Sequence, residues 1–222
     1  MIQTSQTKIV LLLLIPIVNH FNFSSEKCRF FDLSEVRKKW LSEKKNSTFS
    51  KERWLELLTA DHGSKIEEVI SQEKSAKVVI INYPSSEKQF DSFQQVLNKQ
   101  EVKVDQIILL IVPKYELILN LKNEYLICPI CEKTVKREVS IQDLKGRRKV
   151  FVCPQDKEYQ FSLPEIEQFN EWIIDYYLSN TKKVVEKFLK EKITFTQIVI
   201  KQPEDIFLGK IQTEILKIIE NL

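Results

Sequence analysis

Glycine is nearly missing from this chain. Its 222 residues hold only Gly63, Gly146 and Gly209. Loops that cradle phosphate use glycine so that successive amides can approach the anion at positive φ, so the shortage bears on any phosphate-binding role. Cysteine is sparse too: there are four, three of them in the window 128–153. That usage fits metal ligation in a reducing compartment rather than a disulfide framework. No excess of one charge exists either. The net charge is +3 and the lysines are spread among glutamates, as on solvated helix faces, which argues against a nucleic-acid partner. The one notable apolar run, residues 9–18 (IVLLLLIPIV), is too short to span a bilayer, and no transmembrane segment is expected. Its length would suit a signal-peptide core, but one lysine precedes it and no clear small-x-small cleavage site follows. A parallel strand buried on both faces also reads as a continuous apolar run, and that reading is preferred.

What is present is concentrated in residues 126–158, LICPICEKTVKREVSIQDLKGRRKVFVCPQDKE. Cys128 and Cys131 form a C-x2-C knuckle, and Cys153 with Asp156 forms a C-x2-D knuckle. A knuckle sets two ligands a tight turn apart, so that both reach one centre at roughly 2.3 Å from each sulfur. Pro129 and Pro154 suit such turns by fixing φ and offering no amide hydrogen. Three thiolates and a carboxylate would close a tetrahedral site with no open position, which favours structural over catalytic Zn2+. Two unrelated pairs of partly buried cysteines, or a disulfide, are the alternatives. Cys28 lies far off in sequence and is expected to be a small buried residue.

The length suits one substantial core with a small inserted module, and composition is that of a globular protein. Strand and helix alternate. Strands are expected over 8–15, 78–81, 106–112 and 197–200. Helices are expected over 32–44, after the capping Ser50, over 66–75, 86–99, 115–123, 164–179, 181–192 and 206–222. Apolar strands separated by helices imply a parallel sheet covered on both faces, interrupted by the metal module after its third strand. No internal repeat or low-complexity linker breaks the chain.

These residues resemble the adenylate kinase family, in its long form with a zinc-bearing lid. The lid carries the most specific match, since C-x2-C…C-x2-D is the pattern of zinc-binding lids there. VVIINYPSSEKQFDSFQQVL is similar to the family stretch in which a strand ends in an Asp-Gly-Phe-Pro-Arg turn and continues into a helix with a Gln. Tyr83 and Pro84 match the aromatic and the Pro, and Gln89 falls where the family Gln contacts the AMP base. DQIILLIVPKYELI resembles the next strand with its Val-Pro turn at Val112-Pro113. YYLSNTKKVVEKFLKEK resembles the helix pair after the lid, with Tyr177 and Thr181 in place. The resemblance runs from about residue 80 to residue 222, and before that rests on strand placement and Pro16. It implies a P-loop nucleoside monophosphate kinase fold: a core over 1–125 and 160–222, a reduced AMP-binding-like helical region near 32–75, and a zinc lid over 126–159.

The departures from that pattern set the expected function. After the first strand the chain reads Ile15-Pro16-Ile17-Val18-Asn19-His20-Phe21, keeping only Pro16 of the Gly-rich motif, with Phe21 where the lysine is expected. Ile15 and Val18 are β-branched and strongly disfavoured at positive φ. His20 reads as a surface or packing residue. The family turn's Asp, Gly and Arg become Ile81, Asn82 and Ser85, and the arginines before the lid become Asn120 and Glu124. The lid arginine and its Asp pair fall on 163–166, where only Glu165 is acidic, and a further arginine falls on Trp172, Ile173 or Ile174. Arg147, Arg148 and Lys149 read as surface charge on a hairpin loop around Gly146. Phosphoryl transfer depends on Lys, Arg and Mg2+ stabilising spread negative charge, and those groups are replaced. The expectation is a pseudoenzyme with no catalytic residues, a vestigial Pro84 and Gln89, a structural Zn2+ on Cys128, Cys131, Cys153 and Asp156, and protein subunits of a larger assembly as partners. Family members and degenerate relatives occur in mitochondria and cilia, which implies either setting. Phe30, Phe31 or Tyr159 are candidate interface anchors, with core packing the simpler role for most of them. An active nucleotide kinase with a rebuilt donor site, and a sensor that binds AMP without catalysis, stay open as alternatives.

Overall fold

The apolar runs become parallel strands. The computed structural model describes residues 7–13, 23, 25–32, 52, 55–56, 59–72, 77–111, 123–129, 134–144, 148–154, 160–200 and 210–222. In chain order the elements before the insertion are β1 (Lys8–Leu13), β2 (Cys28–Asp32), α1 (Gly63–Gln72), β3 (Lys77–Ile81), α2 (Glu87–Lys99) and β4 (Val104–Ile111). The inserted elements are β5 (Tyr125–Ile127), β6 (Thr134–Lys136), the one-turn α3 (Arg137–Ser140), β7 (Ile141–Leu144), β8 (Arg148–Val152) and β9 (Gln160–Ser162). The chain then closes with α4 (Leu163–Leu189), β10 (Thr194–Val199) and α5 (Lys210–Glu220).

Five strands form one sheet in the order β10-β4-β1-β3-β2, every neighbouring pair parallel. This is a mixed α/β, Rossmann-like architecture with helices on both faces of the sheet. Alternation along β1 explains the layering, because successive side chains of a strand point to opposite faces. Val10 and Leu12 join Val79, Ile81, Ile108 and Leu110 under the first half of α4 and under α5. Ile9, Leu11 and Leu13 join Val78, Ile80 and Ile107 under α1, α2 and the end of α4, through Val184 and Phe188. The β1–β4 register shifts between Ile9 and Val10, and the Asp105 carboxylate takes up the Ile9 N–H at 2.8 Å.

The C-terminal end of α5 is held by lysines from the strand starts. Lys8 and Lys77 are register partners on β1 and β3. Lys77 Nζ donates to the carbonyls of Ile219 at 3.0 Å and Glu220 at 2.9 Å, and Lys8 Nζ donates to that of Leu222. These carbonyls belong to the last turn and its exit, where a helix leaves acceptors without intrahelical partners and carries partial negative charge. Lys77→Met is therefore expected to lower stability by about 1 kcal/mol, or some 2–4 °C in Tm. An unchanged Tm in thermal unfolding would contradict this anchoring.

Several expected boundaries move. The sheet has a strand, β2, that the sequence does not announce: CRFFD is short, ends in charge and lies at an edge with Phe30, Phe31 and Asp32 only half-buried. Asp32 closes this strand rather than opening a helix, and 33–44 lie outside the described residues. Phe30 packs on the core cluster above the sheet, stacked 5.4 Å from Phe23, and Phe31 packs on the one below, so core packing accounts for both. α1 begins at Gly63 rather than at 66, because Asp61 Oδ1 accepts the Gly63 N–H at 2.8 Å and opens the helix. The two helices expected over 164–192 are the single α4, whose middle Asn180 donates to the Tyr176 carbonyl one turn back at 2.8 Å. The helices expected over 115–123 and after Ser50 fall wholly or mainly outside the described residues, as do Tyr159 and residues 14–22 with Pro16, His20 and Phe21. Among the described residues no helix is long and apolar enough to cross a membrane.

Candidate metal-binding module and the turn after the third strand

Two antiparallel hairpins make up the insertion, and each knuckle opens a hairpin loop. β5 pairs with β6 as Tyr125 with Lys136, Leu126 with Val135 and Ile127 with Thr134, so the loop between them starts at Cys128. β8 pairs with β9 as Val150 with Ser162, Phe151 with Phe161 and Val152 with Gln160, so that loop starts at Cys153. β7 extends the second hairpin along β8. Cys128 and Cys153 are both fully buried and sit in one hydrophobic cluster with Tyr125, Leu126, Phe151 and Phe161. Neither is in a disulfide among the described residues. Their partners in the knuckles, Cys131 and Asp156, lie outside the described residues. No group of three or more potential metal ligands is complete among the described residues, half of this candidate set being outside them. Two buried thiols, at the starts of two separate hairpin loops and in one cluster, are donors of the type that fits a zinc site. Cys28 is buried, as expected, and burial raises its thiol pKa.

The start of α4 holds this module to the sheet. Pro164 sits in its first turn, and Ser162 and Glu165 close a capping box, with Glu165 Oε2 accepting the Ser162 N–H at 2.8 Å. The one acidic residue in the stretch 163–166 thus serves the helix end. Arg137 Nη1 reaches Glu167 Oε1 at 2.6 Å. Asn170, buried in α4, accepts the Ile127 N–H at 2.6 Å and donates to the carbonyls of Ile127 at 3.3 Å and Ile166 at 2.7 Å. Sequence reasoning missed Asn170. A signal was available, because position 170 falls on the apolar stripe formed by 166, 169, 173, 174 and 177.

Beyond β3 lies a tight turn that leads into α2. Asn82 takes the left-handed conformation, φ 57°, and its N–H donates to the Leu12 carbonyl at 2.9 Å. Asparagine is among the few non-glycine residues that tolerate this region, which is how the chain makes the turn without a glycine. The Tyr83–Pro84 peptide is cis. Ser86 caps α2, accepting the Gln89 N–H. Gln89 itself is fully buried. Its Oε1 accepts from the Ser85 N–H and the Ser85 hydroxyl, both at 2.8 Å, and its Nε2 donates to the Ala60 carbonyl at 2.9 Å. Both ends of the amide are thus bonded within the chain.

No protein-family model matches the chain, and no curated protein matches it. The chemistry of its own residues carries the reading.

Around the Gln89 amide a second polar group closes the floor. Ser92 Oγ donates to Asp61 Oδ1 at 2.6 Å, and that bond, with the Gly63 N–H, holds the Asp61 carboxyl below its ordinary pKa. Tyr83 is fully buried, edge-on to Phe93 with centroids 5.7 Å apart. Burial, with Asp61 nearby, keeps its phenol protonated well above the usual range. A β-carbon on Gly63 would lie 2.7 Å from Ser92 Oγ and 3.1 Å from Asp61 Oδ1, so any larger residue would displace this pair.

A cavity of about 560 Å³ opens beside the first hairpin. Glu124, Glu138 and Asp143 line it together with Lys136, Arg137 and Lys149. Acids and bases are equal in number and Arg137 is paired with Glu167, so this is no anion cradle. Lys149 is an exposed side chain, as read from the sequence, while Arg147 lies outside the described residues.

Proposed function

We propose that this protein is an adenylate kinase-like pseudoenzyme: a P-loop kinase type of fold that has lost phosphoryl-transfer chemistry, retains a zinc-bearing lid, and acts as a structural or interaction subunit of a larger protein assembly. The observation that carries the reading is Gln89. At the position where the family resemblance puts a base-reading amide, both ends of that side chain are consumed by Ser85 and Ala60, with no exposed surface. A ligand would have to break these buried bonds before gaining its own, and leaving buried polar groups unpaired costs about 1–3 kcal/mol each. The inserted double hairpin between β4 and α4 supports the same reading, since it stands where the resemblance places the lid.

In the module, Cys128, Cys131, Cys153 and Asp156 would hold zinc, which supplies a cross-link between the two hairpin loops. The residues around it exclude water: Cys128 and Cys153 lie under Leu126, Phe151 and Phe161. A closed, buried site of this kind stabilises a fold and offers no position for substrate. With phosphate-side groups replaced and a folded lid kept, the module's outer surface is the part left to function, as a contact for protein partners.

Calorimetric titration of the purified, zinc-replete protein with ATP and then AMP, in the presence of Mg2+, tests the proposal. No heat at millimolar nucleotide and no conversion of ATP and AMP to ADP are expected. Micromolar ATP binding would overturn the reading, and AMP binding alone would put an AMP sensor in its place.

A further inference from the structure

We propose that Asn170 is the positioning residue of the metal module, presenting the first knuckle by pairing with the backbone beside it as a strand would. This inference rests on the zinc reading above and deepens it.

β5 is only three residues long, and one of its edges is paired with β6. A strand so short is not independently stable. On α4, the Asn170 carboxamide faces both the N–H and the carbonyl of Ile127. A carboxamide has the same donor and acceptor as a peptide, so this two-point pairing reproduces one rung of a β-ladder. Its second N–H donates to the Ile166 carbonyl one turn earlier in the helix, which fixes the side-chain rotamer. Asn170 is buried, so these three bonds face no competing water.

The rung sits immediately before Cys128. Fixing both polar groups of Ile127 fixes the peptide plane from which the Cys128 Cα departs. α4 also carries Glu167, which binds Arg137 beyond the other strand of the hairpin. The helix thus grips the first knuckle's hairpin on either side of its loop. The second knuckle has a different support, the β7–β8–β9 pairing with its Phe151–Phe161 contact. Asn170 supplies to the short hairpin what the third strand supplies to the longer one. Preorganisation follows: the backbone entering Cys128 is held in the metal-free chain, and zinc would bind to a set backbone rather than imposing one. Partners that orient metal ligands from outside the ligand set typically change metal affinity 10–100-fold.

The test compares Asn170→Asp and Asn170→Leu with wild type. Asp keeps an acceptor for the Ile127 N–H but loses both donated bonds, and Leu loses all three. Zinc content is measured first, by elemental analysis of the native protein. A wild-type chain without zinc removes the zinc reading itself. With one zinc per wild-type chain, transfer of zinc to a chromogenic chelator is timed for each protein, alongside Val184→Ala, which weakens the core far from the module. Both Asn170 variants are expected to release zinc about 10–100-fold faster than wild type, while Val184→Ala releases it at the wild-type rate. Equal rates in the Asn170 variants and wild type would overturn the proposal, as would equal acceleration by Val184→Ala. If neither Asn170 variant folds, hydrogen exchange of the Ile127 amide in the metal-free wild type decides. Slow exchange supports preorganisation, and exchange as fast as in an exposed loop overturns it.

Discussion

Stripping zinc from the native protein with a strong chelator is expected to lower the Tm of the whole chain, not of the inserted module alone, by about 10 °C or more. The reason is continuity of packing. Cys128, Cys153, Leu126, Phe151 and Phe161 belong to the same hydrophobic cluster as Val10, Leu12, Ile108 and Leu110 of the central strands, bridged by Ile166, Phe169 and Ile173 of α4. Without the metal the two hairpin loops would lose the cross-link proposed between them. Because interiors are close-packed, loosening Phe151 and Phe161 withdraws contacts from α4 and through it from one face of the sheet. Scanning calorimetry checks this. A single transition moving down on chelation is expected. Two transitions, with the upper one unmoved, would show a module that melts by itself and contradict the shared core.

Phe93→Ala should destabilise the fold by about 3–5 kcal/mol, which in a chain of this size lowers Tm by roughly 6–20 °C. Phe93 has no exposed surface and lies in the other cluster, between α2 and the sheet, with the Tyr83 ring edge-on to it. Truncating it leaves a cavity beside a buried phenol and next to the Asp61–Ser92 pair, a region that has little room to collapse. Leu189→Ala is the contrast. More than half of Leu189 is exposed, so its loss should stay within about 0.5 kcal/mol. Urea unfolding of the two variants measures both, and equal midpoints would contradict the placement of Phe93 in the core.

The parts of the fold that sequence exposes are those where one physical rule acts alone. β1, β3 and β4 are buried on both faces, so their residues form unbroken apolar runs, and 9–13, 78–81 and 107–111 could be read as central strands directly. β2 escapes because an edge strand needs only a partial apolar pattern, and Arg29 and Asp32 dilute it. The break expected near 180 fails because Ser179, Asn180 and Thr181 are poor helix formers locally, while the packing of Tyr177 above the sheet and Val184 below it carries α4 straight through. At the candidate site spacing alone marks Cys128 and Cys153, and the structure puts both in one buried cluster. What spacing cannot mark is the support around them. Asn170 is 43 residues from Ile127, and Gln89 is 29 from Ala60. Those pairings decide whether an amide is a ligand reader or a spent structural bond, and only the folded chain brings them together.

Native mass spectrometry of the full chain, sprayed after incubation with millimolar ATP and Mg2+, tests the proposed metal site and the proposed loss of nucleotide binding in one spectrum. The expected mass is that of the chain plus a single zinc ion with no nucleotide adduct. A zinc-free chain, or a chain carrying ATP, would contradict it.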